Sequence, residues 1–364
     1  MKRTQPFEIA VLPGDGIGGE VMAAALQVVD AVIDHVGGFR CAWRHFRAGA
    51  QAYRDTGTAL ADEVMKALEE ADSILLGAMG LPEIRYPNGT EIGPQLDIRE
   101  HLDLYAGVRP IRAMPGLPGP LADPRAEEID FVLVREQTEG LFYSRGRGEI
   151  LGDEEARDTL RITRRGSERL FDFAFRLAER RKEKGRPGKV TCVDKANVFV
   201  SMAFLRRIFL ERAGRFPRIA ADASYIDAMA LNLVRQPWNY DVLVTENMFG
   251  DILSDLGAGL IGGMGMAPSG DIGDDHALFQ PAHGSAPDIA GTGRANPTAM
   301  FLSAAMMLEW LAERHRISAC GEAAGILKGA VERSFGQRRI LPFEFGGKSG
   351  TTEITRAVLE SLRS

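Results

Sequence analysis

Residues 8–12 (EIAVL) form a short, nearly all-apolar run that ends at Pro13-Gly14, the pattern of a buried strand. From 20 to 36, apolar residues recur at helical spacing: Val21, Ala24, Ala25, Val28, Val29, Val32, Ile33 and Val36. Gly37-Gly38 then supplies a glycine stop. Residues 62–70 predict a further helix, and Ser73 to Leu76 (SILL) the strand after it. Later strands are expected at 130–134, 190–193 and 241–244, with helices between them. This strand–helix alternation predicts an α/β fold with a largely parallel sheet. The proline- and glycine-rich run 115–120 reads as a connector, and no solenoid-type repeat is present.

Length and composition narrow the picture. A chain of 364 residues, 45% hydrophobic and 26% charged, predicts two domains with ordinary cores and excludes wholesale disorder. Cys41, Cys192 and Cys320 lie far apart and form neither a metal-spaced cluster nor a disulfide framework, which fits a reducing, cytoplasmic setting. The lead-in 1–7 lacks the apolar region of a signal peptide. The longest nearly apolar stretch, 299–308, is about half of a membrane span, so no membrane partner is expected. A net charge of −6 argues against a nucleic-acid partner. Basic residues nevertheless crowd between Arg135 and Arg186, as on a solvated helix face or a subunit-interface arm.

Gly14-Asp15-Gly16-Ile17-Gly18-Gly19 satisfies G-x-G-x-x-G between a strand and a helix. A Rossmann pyrophosphate loop would also need a ribose-binding acid at the end of a second strand, but Asp34 falls inside the helix. Asp15 would meet the phosphate with a like charge. A tight active-site or interdomain turn is the better reading.

Stronger chemistry lies between Lys195 and Asp255. If the chain after Gly250 is helical, Asp251 and Asp255 share one face at i and i+4. Such a pair suits either a hard divalent cation or the positive end of a helix. Lys195, just past a strand, is either a surface lysine or a cleft lysine able to move a proton. Arg99, Arg109 and Arg135 lie near strand or helix ends, and convergence of their guanidiniums would mean carboxylate recognition.

LPGDGIGGE, GVRP, REQTEG, DKANV, YIDAMA, TENMFGDILSDLGAG, HGSAPDIAGTGRANPTA and GTTEIT together span essentially the whole chain. In these segments the chain resembles the β-decarboxylating dehydrogenases, which act on isopropylmalate, isocitrate, homoisocitrate, tartrate or D-malate. The resemblance is closest to the isopropylmalate and tartrate/D-malate enzymes. It implies a two-domain isopropylmalate dehydrogenase-like fold, not a Rossmann fold, with the active site in the interdomain cleft. One domain would combine 1–103 with 262–364 and carry the adenosine-binding loop. The other, 104–261, would hold the dimer interface and the metal ligands.

The implied reaction is oxidative decarboxylation of a substituted malate with NAD and Mg²⁺ or Mn²⁺. 3-Isopropylmalate and leucine synthesis come first; tartrate or D-malate is the alternative, and a non-catalytic regulatory subunit a remote one. Arg99, Arg109 and Arg135 would bind the malate carboxylates. Tyr143 would protonate the enolate after CO₂ loss, and Lys195 would take the hydroxyl proton, reaching in from the second subunit of a homodimer. Asp227, Asp251 and Asp255 would hold the metal, with Asp227 also contributed across the dimer. His283, Gly284, Ser285, Ala286, Pro287, Asp288, Ile289 and Asn296 would bind the adenosine half of the cofactor. An acid at Asp288 favours NAD over NADP, whose 2′-phosphate it would repel.

Departures from the family pattern concern the substrate. Gln95 and Leu96 stand where isopropylmalate enzymes place a leucine pair. A polar Gln95 weakens a purely apolar pocket. Gln280 replaces an expected glutamate, and 145–165, with Gly146, Gly148 and Gly152, is the candidate partner-clasping arm.

Overall fold

The computed structural model describes residues 5–363; residues 1–4, which begin the polar lead-in, and residue 364 lie outside the described residues. Strands β1 (Phe7–Gly14), β2 (Cys41–His45) and β3 (Ser73–Ala78) alternate with helices α1 (Gly18–Val36), α2 (Ala50–Thr56) and α3 (Asp62–Glu70). Helix α4 (Pro94–His101) leads into β4 (Ala106–Arg112) and β5 (Asp130–Glu136). A small hairpin, β6 (Glu149–Leu151) with β7 (Glu155–Arg157), precedes α5 (Arg164–Glu183) and β8 (Lys189–Asp194). Next come α6 (Val200–Ala213), β9 (Ala220–Tyr225), α7 (Ile226–Arg235), β10 (Val242–Thr245) and α8 (Asn247–Leu260). The chain closes with β11 (Pro268–Ile272), β12 (Ala277–Pro281), α9 (Thr298–His315), α10 (Ser318–Gly336) and α11 (Thr351–Leu362).

Ten strands form one sheet in the order β2-β1-β3-β12-β11-β4-β5-β10-β8-β9. Both flanks are parallel, as the strand–helix alternation predicts. The centre departs from that expectation: β12–β11, β11–β4 and β4–β5 pair antiparallel. Strands from the two ends of the chain build one half of the sheet, strands from its middle build the other, and β11 meets β4 at the seam. The apolar stretch 299–308 lies in α9, a buried helix between the sheet and α10 rather than a membrane segment. Among the described residues, no helix is long and apolar enough to cross a membrane.

The glycine-rich loop after β1 packs closely against its neighbours. Gly14 and Gly16 have φ of 74° and 56°. A Cβ on Gly16 would lie 1.9 Å from the Ser285 carbonyl oxygen, which instead accepts the Ile17 N–H at 2.8 Å. Asp15 is buried, and its carboxylate accepts N–H bonds from Ala50 (2.7 Å), Gln51 (2.9 Å) and Gly80 (2.8 Å). The acid that argued against a phosphate site is therefore the cap for the start of α2. Replacing Asp15 by Ala strands two buried donors and one partly buried donor, and at roughly 1 kcal/mol or more each the variant is expected to lose about 3 kcal/mol in urea unfolding. A loss below about 1 kcal/mol would contradict this role.

Candidate active site

Alternation of side chains along strands explains how the sheet's seam becomes a charged pocket. The β4–β5 register places Gly107 opposite Arg135, and the β4–β11 register places it opposite Asp271. Residues two apart share a face, so Arg109, Ser269, Asp271, Arg135 and Gln280 all project to the same side. Arg99 reaches the group from α4. A cleft of about 290 Å³ gathers Arg99, Arg109, Arg135, Asp251, Ser254 and Asp255 with Gln95, Leu96, Gln280, His283 and Gly284. The three arginines therefore converge.

All three are buried, with 3–7% of their surface exposed. Arg99 Nε donates to Asp271 Oδ2 at 2.8 Å, and Arg109 Nη2 lies 3.4 Å from Asp271 Oδ1. Arg109 also donates to Ser269 Oγ. Arg135 gives two bonds to Asn247 Oδ1, at 3.0 and 2.7 Å, and a third to Asp251. Desolvation, with Arg99 close by, pushes the Arg135 guanidinium down to about 10. Such a crowd of cations is built for an anion bearing more than one carboxylate.

Helix α8 supplies the acids. Glu246 caps it, accepting the Phe249 N–H at 2.6 Å and the Met248 N–H at 3.1 Å. Gly250 leaves room for the Arg135 side chain, since a Cβ there would lie 2.6 Å from its Cγ. Asp251 and Asp255 then face the cleft one turn apart. Asp255 has no hydrogen-bond or ion-pair partner among the described residues, and partial desolvation together with Asp251 raises its carboxyl above the ordinary value. An unpaired hard-oxygen donor beside a second carboxylate fits Mg²⁺ or Mn²⁺.

The remaining expected residues are placed differently. Asp227 does not reach Asp251 and Asp255 within one chain. It receives Lys195 Nζ at 2.6 Å, and this hydrogen bond holds its carboxyl below the usual range. Among the described residues of one chain, no group of three His, Cys, Asp or Glu side chains is arranged to hold a metal. Tyr143 follows Gly140 in a short 3-10 turn and lines a neighbouring pocket of about 380 Å³, which shares Leu96 and Phe142 with the cleft. The Arg161 guanidinium lies 3.7 Å above the Tyr143 ring.

On the loop after β12, His283 and Gly284 line the cleft. His283 Nδ1 donates to the Gly284 carbonyl at 2.9 Å, so Nε2 carries the lone pair, and that atom is buried without a partner among the described residues. A buried acceptor of this kind fits an amino group on a planar base. Ser285 faces inward onto the glycine-rich loop, Ala286 takes φ 37°, Pro287 and Asp288 are exposed, and Ile289 packs at the edge of the core. The Asn296 side chain bonds the Thr298 N–H and hydroxyl (3.1 and 2.6 Å) and Glu344 (2.5 Å) at the start of α9.

Asp271 and Gln137 escaped the sequence reading. Asp271 is the sole acid in the small and apolar strand β11, and an acid in a buried strand was the available signal. Gln280, standing where the resemblance implies glutamate, donates to Asp271 at 2.9 Å, so the charge sits one strand over.

Burial pushes the His283 imidazole below its ordinary 6.5. Between that lowered value and about 6.5 the unfolded chain binds more protons at this position, so its contribution to stability is lost as pH falls through the window. His283→Gln is expected to lose less stability than wild type between about pH 7 and 5.5 in urea unfolding. Parallel losses would contradict it.

With the geometry described, comparisons place the chain. A family model described as isocitrate/isopropylmalate dehydrogenase matches residues 8–358. The 3-isopropylmalate/3-methylmalate dehydrogenase of Methanocaldococcus jannaschii is 41% identical over 358 residues, covering 98% of this chain and 99% of that one. The 3-isopropylmalate dehydrogenase of Aquifex aeolicus is 40% identical, covering 98% and 97%. A crystal structure of isocitrate dehydrogenase from Methylococcus capsulatus superposes with TM-score 0.86 at 37% identity, covering 98% of this chain and all of that one. A β-decarboxylating dehydrogenase of Thermococcus kodakarensis gives TM-score 0.77 at 35% identity, covering 98% and 96%. Whole-chain agreement with sequences and structures alike leaves one conclusion: the chain belongs to the isocitrate/isopropylmalate dehydrogenase family of decarboxylating oxidoreductases that act on CH–OH.

Proposed function

We propose that this enzyme oxidatively decarboxylates a 3-substituted malate with NAD and Mg²⁺ or Mn²⁺, and that 3-isopropylmalate, as named for the relatives, is its substrate. The observation that carries the reading is the convergence of Arg99, Arg109 and Arg135 with Asp251 and Asp255 in one cleft. The arginines grip the two carboxylates of the malate core and fix its orientation. When bound, the metal supplies Lewis acidity at the hydroxyl and NAD accepts hydride. Lys195 takes the hydroxyl proton and Tyr143 returns a proton to carbon after CO₂ leaves. Asp251 and Asp255 hold the metal on one chain and Asp227 completes the set from the second. His283 to Ile289 cradle the adenosine, with Asp288 directed at the ribose. Asn296 contributes there through its backbone, since its side chain is engaged elsewhere.

The same reading divides the chain into 1–103 with 262–364 and 104–261, in line with the two halves of the sheet. It makes the molecule a homodimer with shared sites, because Lys195 and Asp227 pair with each other outside the cleft of their own chain. The exposed β6–β7 hairpin, with Ile150 80% exposed, is the partner-clasping arm. Cys41, Cys192 and Cys320, far apart in sequence, accord with a reducing, cytoplasmic setting.

One observation favours a second reading. Gln95 Oε1 is buried beside the cleft without a hydrogen-bond partner among the described residues. A substrate hydroxyl would satisfy it, as in tartrate, whereas an isopropyl group would not.

NADH formation with Mn²⁺ across 3-isopropylmalate, D-malate and the tartrates tests both readings. Turnover is expected to vanish with EDTA and to fall about a thousandfold in Lys195→Ala and in Asp251→Asn. Mixing these two inactive variants under subunit exchange is expected to restore about a quarter of wild-type activity, since half the dimers are mixed and each regains one site. No restoration would sink the shared site. Preference for tartrate would overturn the isopropylmalate assignment and leave the reaction class intact.

A further inference from the structure

We propose that Asp271 is a positioning residue for the reaction: it fixes Arg99 and Arg109 so that their guanidiniums meet the substrate in one preset geometry. This assignment rests on the reading of those arginines as carboxylate binders.

Asp271 is completely buried, and both of its oxygens are used twice. Oδ2 accepts from Arg99 Nε at 2.8 Å and from Gln280 Nε2 at 2.9 Å. Oδ1 accepts from Gln137 Nε2 at 2.7 Å and faces Arg109 Nη2 at 3.4 Å. Burial would raise this carboxyl, but the charges of Arg99 and Arg109 and the Gln137 hydrogen bond hold it below the ordinary value. Two cations from different elements, α4 and β4, are thus tied to one anion that touches neither Asp251 nor Asp255.

The surroundings are shaped around that anion. The Gln137 amide occupies the space where a Cβ on Gly107 would stand, 1.8 Å from its Nε2. Arg109 is steadied at a second point by Ser269, two residues before Asp271 on the same strand. Arg99 spends its Nε on Asp271, which leaves its terminal N–H groups for the cleft. Arg135 has its own partners, Asn247 and Asp251, so Asp271 governs only two members of the triad.

An Asn at 271 has one oxygen where the carboxylate has two, and its NH₂ would face donors. The side chains would shift, and small displacements of a binding group weigh heavily on rate. Because Gln280 already touches Asp271, a carboxylate can be restored one step away by Gln280→Glu.

The test measures kcat and KM for Asp271→Asn, Gln280→Glu and the double variant on the malate panel with NAD⁺ and Mn²⁺. Asp271→Asn is expected to raise KM at least tenfold and to lower kcat at least tenfold. The double variant should recover tenfold or more in kcat/KM. Gln280→Glu alone sets a second carboxylate against Asp271 and should be worse than the double variant. That sign reversal can be read even if Asp271→Asn does not fold. Kinetics of Asp271→Asn within threefold of wild type, or a double variant that regains melting temperature without regaining kcat/KM, would overturn the assignment. If wild type turns over nothing on the panel, the proposed reaction falls instead. Asp271 is then decided by whether malonate raises the melting temperature of wild type but not of Asp271→Asn; equal shifts would overturn it.

Discussion

Three guanidinium groups packed into one sheet face must be kept charged, apart and aimed, and much of the surrounding structure answers that demand. Each loses solvent, and each repels the others, as the lowering of Arg135 to about 10 records. Removing one partner from such a buried set typically costs about 3–5 kcal/mol, so the anions beneath them are as constrained as the arginines. Asp271 serves Arg99 and Arg109, while Asn247 and Asp251 serve Arg135. The antiparallel centre of the sheet is what allows this. It brings β11 from late in the chain against β4, so residues 107 and 271 become neighbours.

Charge in the cleft is unevenly shared, and that unevenness bears on assembly. Asp251 is half engaged by Arg135 and Asp255 is unpaired among the described residues, whereas Lys195 and Asp227 satisfy each other on a different part of the same chain. A lysine–aspartate pair with a mostly exposed acid is weakly held, so exchanging it for a better-buried environment costs little. On the proposed reading, a cleft short of one acid and one base, in a chain that displays that very pair elsewhere, would be completed by a second copy. The exposed Ile150 on the hairpin and Val198, Phe199 and Val200 just after Lys195 give such a copy apolar surface to cover.

Much of this was legible in the residues, for reasons that differ by element. Helices α1 and α3 and strands β3, β5, β8 and β10 announce themselves through long periodic or densely apolar runs. Strands β11 and β12 do not. Five residues such as PSGDI carry proline, glycine and acid, and their strand character comes from neighbours far away in sequence. Strand β2, half-exposed at the sheet edge, is equally silent. Asp241 shows a boundary shift: expected inside a strand, it precedes β10 and accepts the N–H groups of Gly188 and Lys189 at 2.8 and 3.1 Å. The arginines and the α8 acids could be named from motifs, but Asp271 and the structural use of Asn296 depend on which strand lies beside which.

The part of the site that reads the substrate's variable group has the weakest physical basis in the chain. Every member of a malate-like series presents the same two carboxylates, and on the proposed reading Arg99, Arg109 and Arg135 would recognise those alone. Discrimination among substituents would then fall to Gln95, Leu96 and Phe142, which line the rim. Apolar contact there separates substrates by about 1–3 kcal/mol per methylene, so Leu96 and Phe142 alone give modest selectivity. A buried amide is different in kind. Left unpaired, Gln95 Oε1 penalises every apolar substituent, and paired to a hydroxyl it rejects analogues that lack one. On the proposed reading, selectivity would turn on the direction of the Gln95 amide, while the reaction would rest on a cradle indifferent to it.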